Sequence, residues 1–120
     1  MGLDRYIAAQ DEVVNERGDT SFEVACFEII AGKKETHWMW WIFPQQAGHG
    51  YSFNAHLYDM SDATEAQAYM RNPVLRERYL IAQTCVWNAL REHQTTVDDI
   101  FGPVDTLKYR SSTELLVRYA

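Results

Sequence analysis

The run Thr36-His37-Trp38-Met39-Trp40-Trp41-Ile42-Phe43-Pro44-Gln45 constrains the fold more than any other stretch of the chain. It holds three of the four tryptophans. Indole area of that size left on a surface would drive association, so most of it has to be interior, with other elements packed around it. As a helix, it places Trp38, Trp41, Ile42 and Gln45 on one face and His37 with Trp40 on another. As a strand, it alternates Trp38, Trp40 and Ile42 against His37, Met39, Trp41 and Phe43. Pro44 lacks an N–H and turns the residue before it away from helical backbone, so the run is expected to be a short helix ending there. It is a core segment or one wall of a ligand pocket, and the run by itself leaves both open.

The rest of the chain reads as helix. Leu3, Tyr6, Ile7, Gln10, Val13 and Val14 recur at helical spacing, which predicts a first helix over Asp4 to Arg17 closed by Gly18. Thr20 and Glu23 have capping-box spacing ahead of the stripe Phe22, Ala25, Cys26, Ile29 and Ile30, which Gly32 should end. Gln45 to Ser52 is a loop with two glycines around His49, and Phe53 to Tyr58 has room for one or two helical turns. Ser61 or Asp62 caps the next helix. Asn72-Pro73, an N-cap followed by proline, opens the longest one, which keeps register to about His93. Thr96 starts a short helix through Phe101 that Gly102 ends. A further turn over Asp105 to Tyr109 follows, and Ser111 or Ser112 is placed to cap a last helix to Tyr119. The expectation is an all-α, single compact domain over residues 1–120 with about six to seven helices.

Charge narrows the function. The net charge is −6, with a pI near 5.1; this argues against nucleic acid or an anionic membrane as partner. Met1 to Gln10 carries charges and no apolar core, so no signal peptide is expected; the apolar run Trp38 to Phe43 is far too short to span a bilayer, and the chain reads as cytoplasmic. Cys26 and Cys85 lack metal or CxxC spacing and sit at apolar helical positions, which fits free thiols in a reducing compartment.

His37 is a candidate general acid or base, since imidazole changes charge near neutral pH. His49, His56 and His93 have neither an i,i+4 partner nor acidic company, so no metal is expected. No GxSxG, P-loop, GxGxxG or HExxH pattern occurs, and no cofactor is implied. Asp105, Lys108, Ser111 and Ser112 form the second cluster. A helix beginning at Ser112 would offer its free N–H groups, the hydroxyls and Lys108 to an anion such as phosphate. An exposed Asp–Lys pair beside an ordinary N-cap is the plainer alternative.

Three strings together resemble a known family. They are His37-Trp38-Met39-Trp40-Trp41-Ile42-Phe43-Pro44-Gln45, then Glu65-Ala66-x-Ala68-Tyr69-Met70-x-Asn72-Pro73-x-Leu75-x-x-Arg78, then Ile100-Phe101-Gly102-x-x-Asp105-x-x-Lys108-x-x-Ser111-Ser112. They are similar to the signatures of domain-of-unknown-function family 1810, small helical bacterial-type proteins sometimes labelled calpastatin. The resemblance implies a mostly helical fold without an established activity. It carries over His37, Trp38, Trp40, Pro44, Gln45, Arg78, Asp105, Lys108, Ser111 and Ser112 as motif positions. His56 departs from the pattern, standing where the family usually has arginine.

Polar motif residues inside apolar strings have to be networked or used, because a buried unpartnered group costs about 1–3 kcal/mol. If they converge, His37, Trp38, Trp40, Gln45, His49, Arg78, Lys108, Ser111 and Ser112 would line a pocket for a small nucleotide-like ligand such as an ADP-ribose derivative, with the loop around His49 as a lid. Two other readings stay open. One is an enzyme acting on such a ligand, with His37 as acid/base and Glu65 or Asp105 assisting. The other is a structural or protein-interaction domain.

Overall fold

Local capping rules set most of the boundaries in a computed structural model that describes residues 2–47 and 52–120. Thr20 and Glu23 close the expected box: Thr20 N–H donates to Glu23 Oε1 at 2.9 Å, and Glu23 N–H to Thr20 Oγ1 at 3.2 Å. They start α2, Ser21–Ile30, after α1, Asp4–Asp11. The tryptophan run supplies α3, Met39–Ile42, stopped before Pro44, and α4 is Phe53–Tyr58. Asp62 caps α5, Ala63–Arg71. Asn72 Oδ1 accepts from Val74 N at 3.0 Å and Leu75 N at 3.1 Å to open α6, the 20-residue helix Pro73–Glu92. Thr96 caps α7, Val97–Leu116, and a 3₁₀ turn, Val117–Tyr119, ends the chain. Among the described residues there are seven α-helices and no strand, only isolated bridges between Val13 and Thr20 and between Gln46 and Met60. Among the described residues no helix is long and apolar enough to cross a membrane.

Two expected boundaries are wrong. α1 stops at Asp11 instead of Arg17. The Asn15 side chain outcompetes the helix, its Oδ1 accepting from Arg17 N at 3.0 Å and Asp19 N at 3.1 Å while Val14 N donates to Asp19 O at 2.9 Å. Asn favours such a side-chain turn, and β-branched Val13 and Val14 accept the extended backbone leading into it. Gly18 therefore belongs to a turn, not to the end of a helix. The second error lies in α7, which runs on through Ser111 and Ser112. No helix starts there, and the N–H groups proposed for an anion are bonded within the helix.

α6 is the spine. It packs against α2, α5 and α1 and buries Leu75, Tyr79, Ala82, Val86 and Ala89. At the far end of α2, Gly32 takes φ +89, and a Cβ there would come within 3.0 Å of the His93 ring. His93 Nε2 in turn lies 2.8 Å from Ile30 O, so a histidine without metal company closes a helix end. The tryptophan run then folds back over Glu28. That carboxylate accepts from Glu35 N at 2.8 Å, Thr36 N at 3.0 Å, Thr36 Oγ1 at 2.6 Å and Trp38 Nε1 at 2.9 Å. Burial pushes the Glu28 carboxyl up, but these donors outweigh it and hold the pKa below its ordinary value. Trp38 reaches the core, 1% exposed, and packs edge-on against Phe101. Phe43 meets Tyr79, Phe101 and Tyr109 in the same aromatic cluster.

Candidate functional site

Gly102 aims the second half of α7. Its backbone, φ 82 and ψ 164, lies where only glycine sits comfortably, and it bends the helix between Phe101 and Pro103. Phe101 stays in the core while Asp105 and Lys108, one turn apart, come over the tryptophan run. Lys108 Nζ lies 4.0 Å from the centre of the Trp40 ring and 3.3 Å from Asp105 Oδ1. The other carboxylate oxygen, Oδ2, lies 2.9 Å from Lys34 Nζ, which is itself 5.1 Å from the Trp38 ring centre. Lys34 is brought there by its own backbone, whose N–H donates to Ile100 O at 2.7 Å. The result is one carboxylate between two ammonium groups, each set against an indole. An ammonium over tryptophan gains about 0.5–2 kcal/mol, so this array holds its own geometry and carries a local excess of one positive charge.

The same stripe of α7 continues into a polar concavity. Ser111, one turn beyond Lys108, lines a hollow of about 560 Å³ with Gln46, Arg110, Glu114, Arg118 and Tyr119 among its walls. Arg118 Nε donates to the backbone O of Glu114 at 2.9 Å. Among the described residues, neither Arg110 nor Arg118 has a carboxylate within the 4.0 Å of an ion pair. Gln45, beside Gln46, is 2% exposed, and among the described residues neither Nε2 nor Oε1 has a hydrogen-bond partner. Its backbone is better served, since Gln45 O accepts from Met60 N at 2.9 Å.

The expected site residues separate into three groups. Lys108 touches both Trp40 and Asp105, with Ser111 one turn further along the helix and Gln45 in the segment that leads from α3 to the concavity. His37 is exposed at the edge of the run. The remaining residues are elsewhere. Arg78 is held at the α1–α2 side, 3.2 Å from Gln10 Oε1 and 2.8 Å from Asp11 Oδ1. Glu65 pairs with Arg5 at 2.6 Å. Ser112 is buried with its Oγ 3.0 Å from Tyr79 Oη. Burial pushes the Tyr79 hydroxyl up to about 12, against the opposing pull of the Ser112 and Gln83 hydrogen bonds, so that pair is neutral. Trp38 is in the core. His49 lies outside the described residues. Sequence reasoning missed Lys34, Arg110 and Arg118. The two arginines had a signal, being spaced i,i+8 on the exposed side of a helix with Glu114 midway; Lys34 had none.

Together, fold and site define a small all-helical protein whose last long helix presents a cation-rich strip beside an indole. The chain belongs to the family described as protein of unknown function (DUF1810), whose model matches residues 1–120. It is similar to the conserved hypothetical protein Rv1873 from Mycobacterium tuberculosis, known from a crystal structure. The two are 35% identical with a TM-score of 0.83, over 98% of this chain and 76% of that one. No curated protein matches the sequence.

Proposed function

We propose that this protein is a binding module for a small anionic ligand with a flat ring, of the nucleotide or ADP-ribose kind, taken along α7 from Trp40 and Lys108 to Arg118. The observation that carries the reading is the pair of guanidinium groups, Arg110 and Arg118, which share a hollow with the Ser111 hydroxyl and have no carboxylate partner among the described residues. Guanidinium is the side chain best shaped for phosphate, since it donates two parallel hydrogen bonds. Lys108 is one helical turn before Ser111, outside the lining of the hollow, and adds a further positive charge beside the Trp40 ring. A binding role is preferred over turnover. Among the described residues no hydrogen bond joins a hydroxyl or thiol to a histidine ring, and His37, the expected acid/base, stands exposed with Glu65 engaged elsewhere.

Calorimetric titration with adenosine, ADP, ADP-ribose and pyrophosphate tests the reading. The phosphate-bearing ligands should bind and adenosine should not. Arg110→Ala and Arg118→Ala should each weaken binding by roughly 10–150-fold, the equivalent of ~1.5–3 kcal/mol per charge-assisted contact. Trp40→Ala should weaken ADP and spare pyrophosphate. Adenosine binding as tightly as ADP, or no anion binding below millimolar concentration, would refute it.

A further inference from the structure

α6 buries one face and leaves the other open along its whole length. Glu77, Ile81, Thr84, Trp87, Asn88 and Arg91 are all exposed, Trp87 at 66% and Ile81 at 41%. Two shallow hollows run along this face, one of about 540 Å³ with Glu77, Leu80 and Ile81 in its wall, the other of about 420 Å³ with Leu80, Thr84, Trp87 and Arg91. Leu80 and Thr84 belong to both, so the hollows form one continuous strip. A tryptophan two-thirds exposed in such a strip is the side chain most often found at the centre of an interface.

The order of residues along the strip is self-complementary about Thr84. Glu77 precedes Thr84 by seven residues and Arg91 follows it by seven. At 3.6 residues per turn the two point within about 20° of the direction of Thr84, on either side of it. Leu80 and Trp87 both fall on one flank, at about 40° and 60° from the same direction. Glu77 and Arg91 have no ion-pair partner among the described residues, and the guanidinium of Arg91 reaches only Asn88 Oδ1, at 3.3 Å. At the centre, Thr84 Oγ1 is already bonded to Leu80 O at 2.9 Å, so covering it strands no hydroxyl.

A second copy laid antiparallel, with the two-fold axis at Thr84, sets Glu77 of each copy against Arg91 of the other. It also sets Leu80 of each beside Trp87 of the other. Every contact is made twice, as an isologous interface requires. We propose that the open face of α6 is a homodimer interface of this kind, with the opposed Glu77–Arg91 pairs fixing its direction and the Leu80–Trp87 contacts supplying its apolar centre. One pair of helices covers a small area, so the dimer forms by mass action as concentration rises.

Sedimentation equilibrium of the full chain over a concentration series tests this. The mass of the wild type should climb from 14.0 kDa toward twice that value. Glu77→Arg sets arginine against arginine and Arg91→Glu sets glutamate against glutamate, so each should weaken association by about tenfold or more. The double variant exchanges the charges, rebuilds both pairs and should return close to wild type. Circular dichroism confirms that each variant is folded. A wild type that stays monomeric at every concentration, or a folded double variant that fails to recover, overturns the proposal. So does a monomer that instead sediments with phospholipid vesicles, which would give the face to a membrane surface.

Discussion

Replacing Gln45 with methionine should make the protein more stable. The Gln45 side chain is 2% exposed, and among the described residues both its amide nitrogen and its amide oxygen lack a partner. An unpaired buried polar group carries a desolvation cost of about 1–3 kcal/mol, whereas methionine keeps nearly the same length and volume with no polar atom to satisfy. Gln45→Met should therefore gain about 1–3 kcal/mol, with the flexible thioether adapting to the shape of the site. The entropy of unfolding is ~2.1 cal/mol/K per residue, or ~0.25 kcal/mol/K for 120 residues, so the melting temperature should rise by roughly 4–12 °C. Urea melts at neutral pH measure the gain, and an unchanged m-value ties it to the folded state. A loss of more than about 1 kcal/mol would show that the amide is satisfied in solution and that the reasoning is wrong.

The Glu28 carboxyl has its folded-state pKa held low, so its contribution is complete above the unfolded value and is lost as pH falls through the folded one. Glu28→Gln should cost about 1 kcal/mol at neutral pH, allowing for screening of a partly exposed group, and should flatten the loss of stability below the carboxylate range in a pH series of urea melts. An acid limb as steep in the variant as in the wild type would place that pH dependence elsewhere. Leu75→Ala, at 0% exposure, should cost about 2–5 kcal/mol, whereas Lys33→Ala on the surface should stay within about 0.5 kcal/mol. Similar losses in the two melts would mean that the core has been misassigned.

The helix starts were legible because a cap is a local device. Thr20, Asp62, Asn72 and Thr96 each need only the next few residues to make their bonds, and those residues are adjacent in sequence. The two misread boundaries came from local signals with a second possible use. Gly18 has the chemistry to close a helix running to Arg17, but the Asn15 side chain accepted from the backbone N–H groups of Arg17 and Asp19 and made a turn instead. Ser112 has the chemistry of an N-cap, yet its hydroxyl went to Tyr79, 33 residues away. The site divides in the same way. Asp105 and Lys108 stand one helical turn apart, so their pairing could be read from spacing. The Lys34 ammonium that shares the carboxylate could not, because it is brought there by a tertiary contact, the hydrogen bond from Lys34 N, in the segment after α2, to Ile100 O of α7. Arg78 was the opposite case: its motif position suggested the site, and Gln10 and Asp11 hold it elsewhere.

Gly102 makes the alignment of that site a property of one backbone torsion. A Cβ at this position would meet nothing within 4 Å, so a side chain there is opposed by its own φ of +82 and by no neighbour. The penalty for alanine is therefore conformational, about 1–3 kcal/mol, and the chain can relieve it by relaxing the bend. Relaxing the bend would act on the second half of α7, which carries Asp105, Lys108 and Ser111 and is anchored by buried Thr106, Tyr109, Ser112 and Leu116. A substitution at Gly102 is thus expected to be felt at the contact of Lys108 with Trp40, from a position outside that contact.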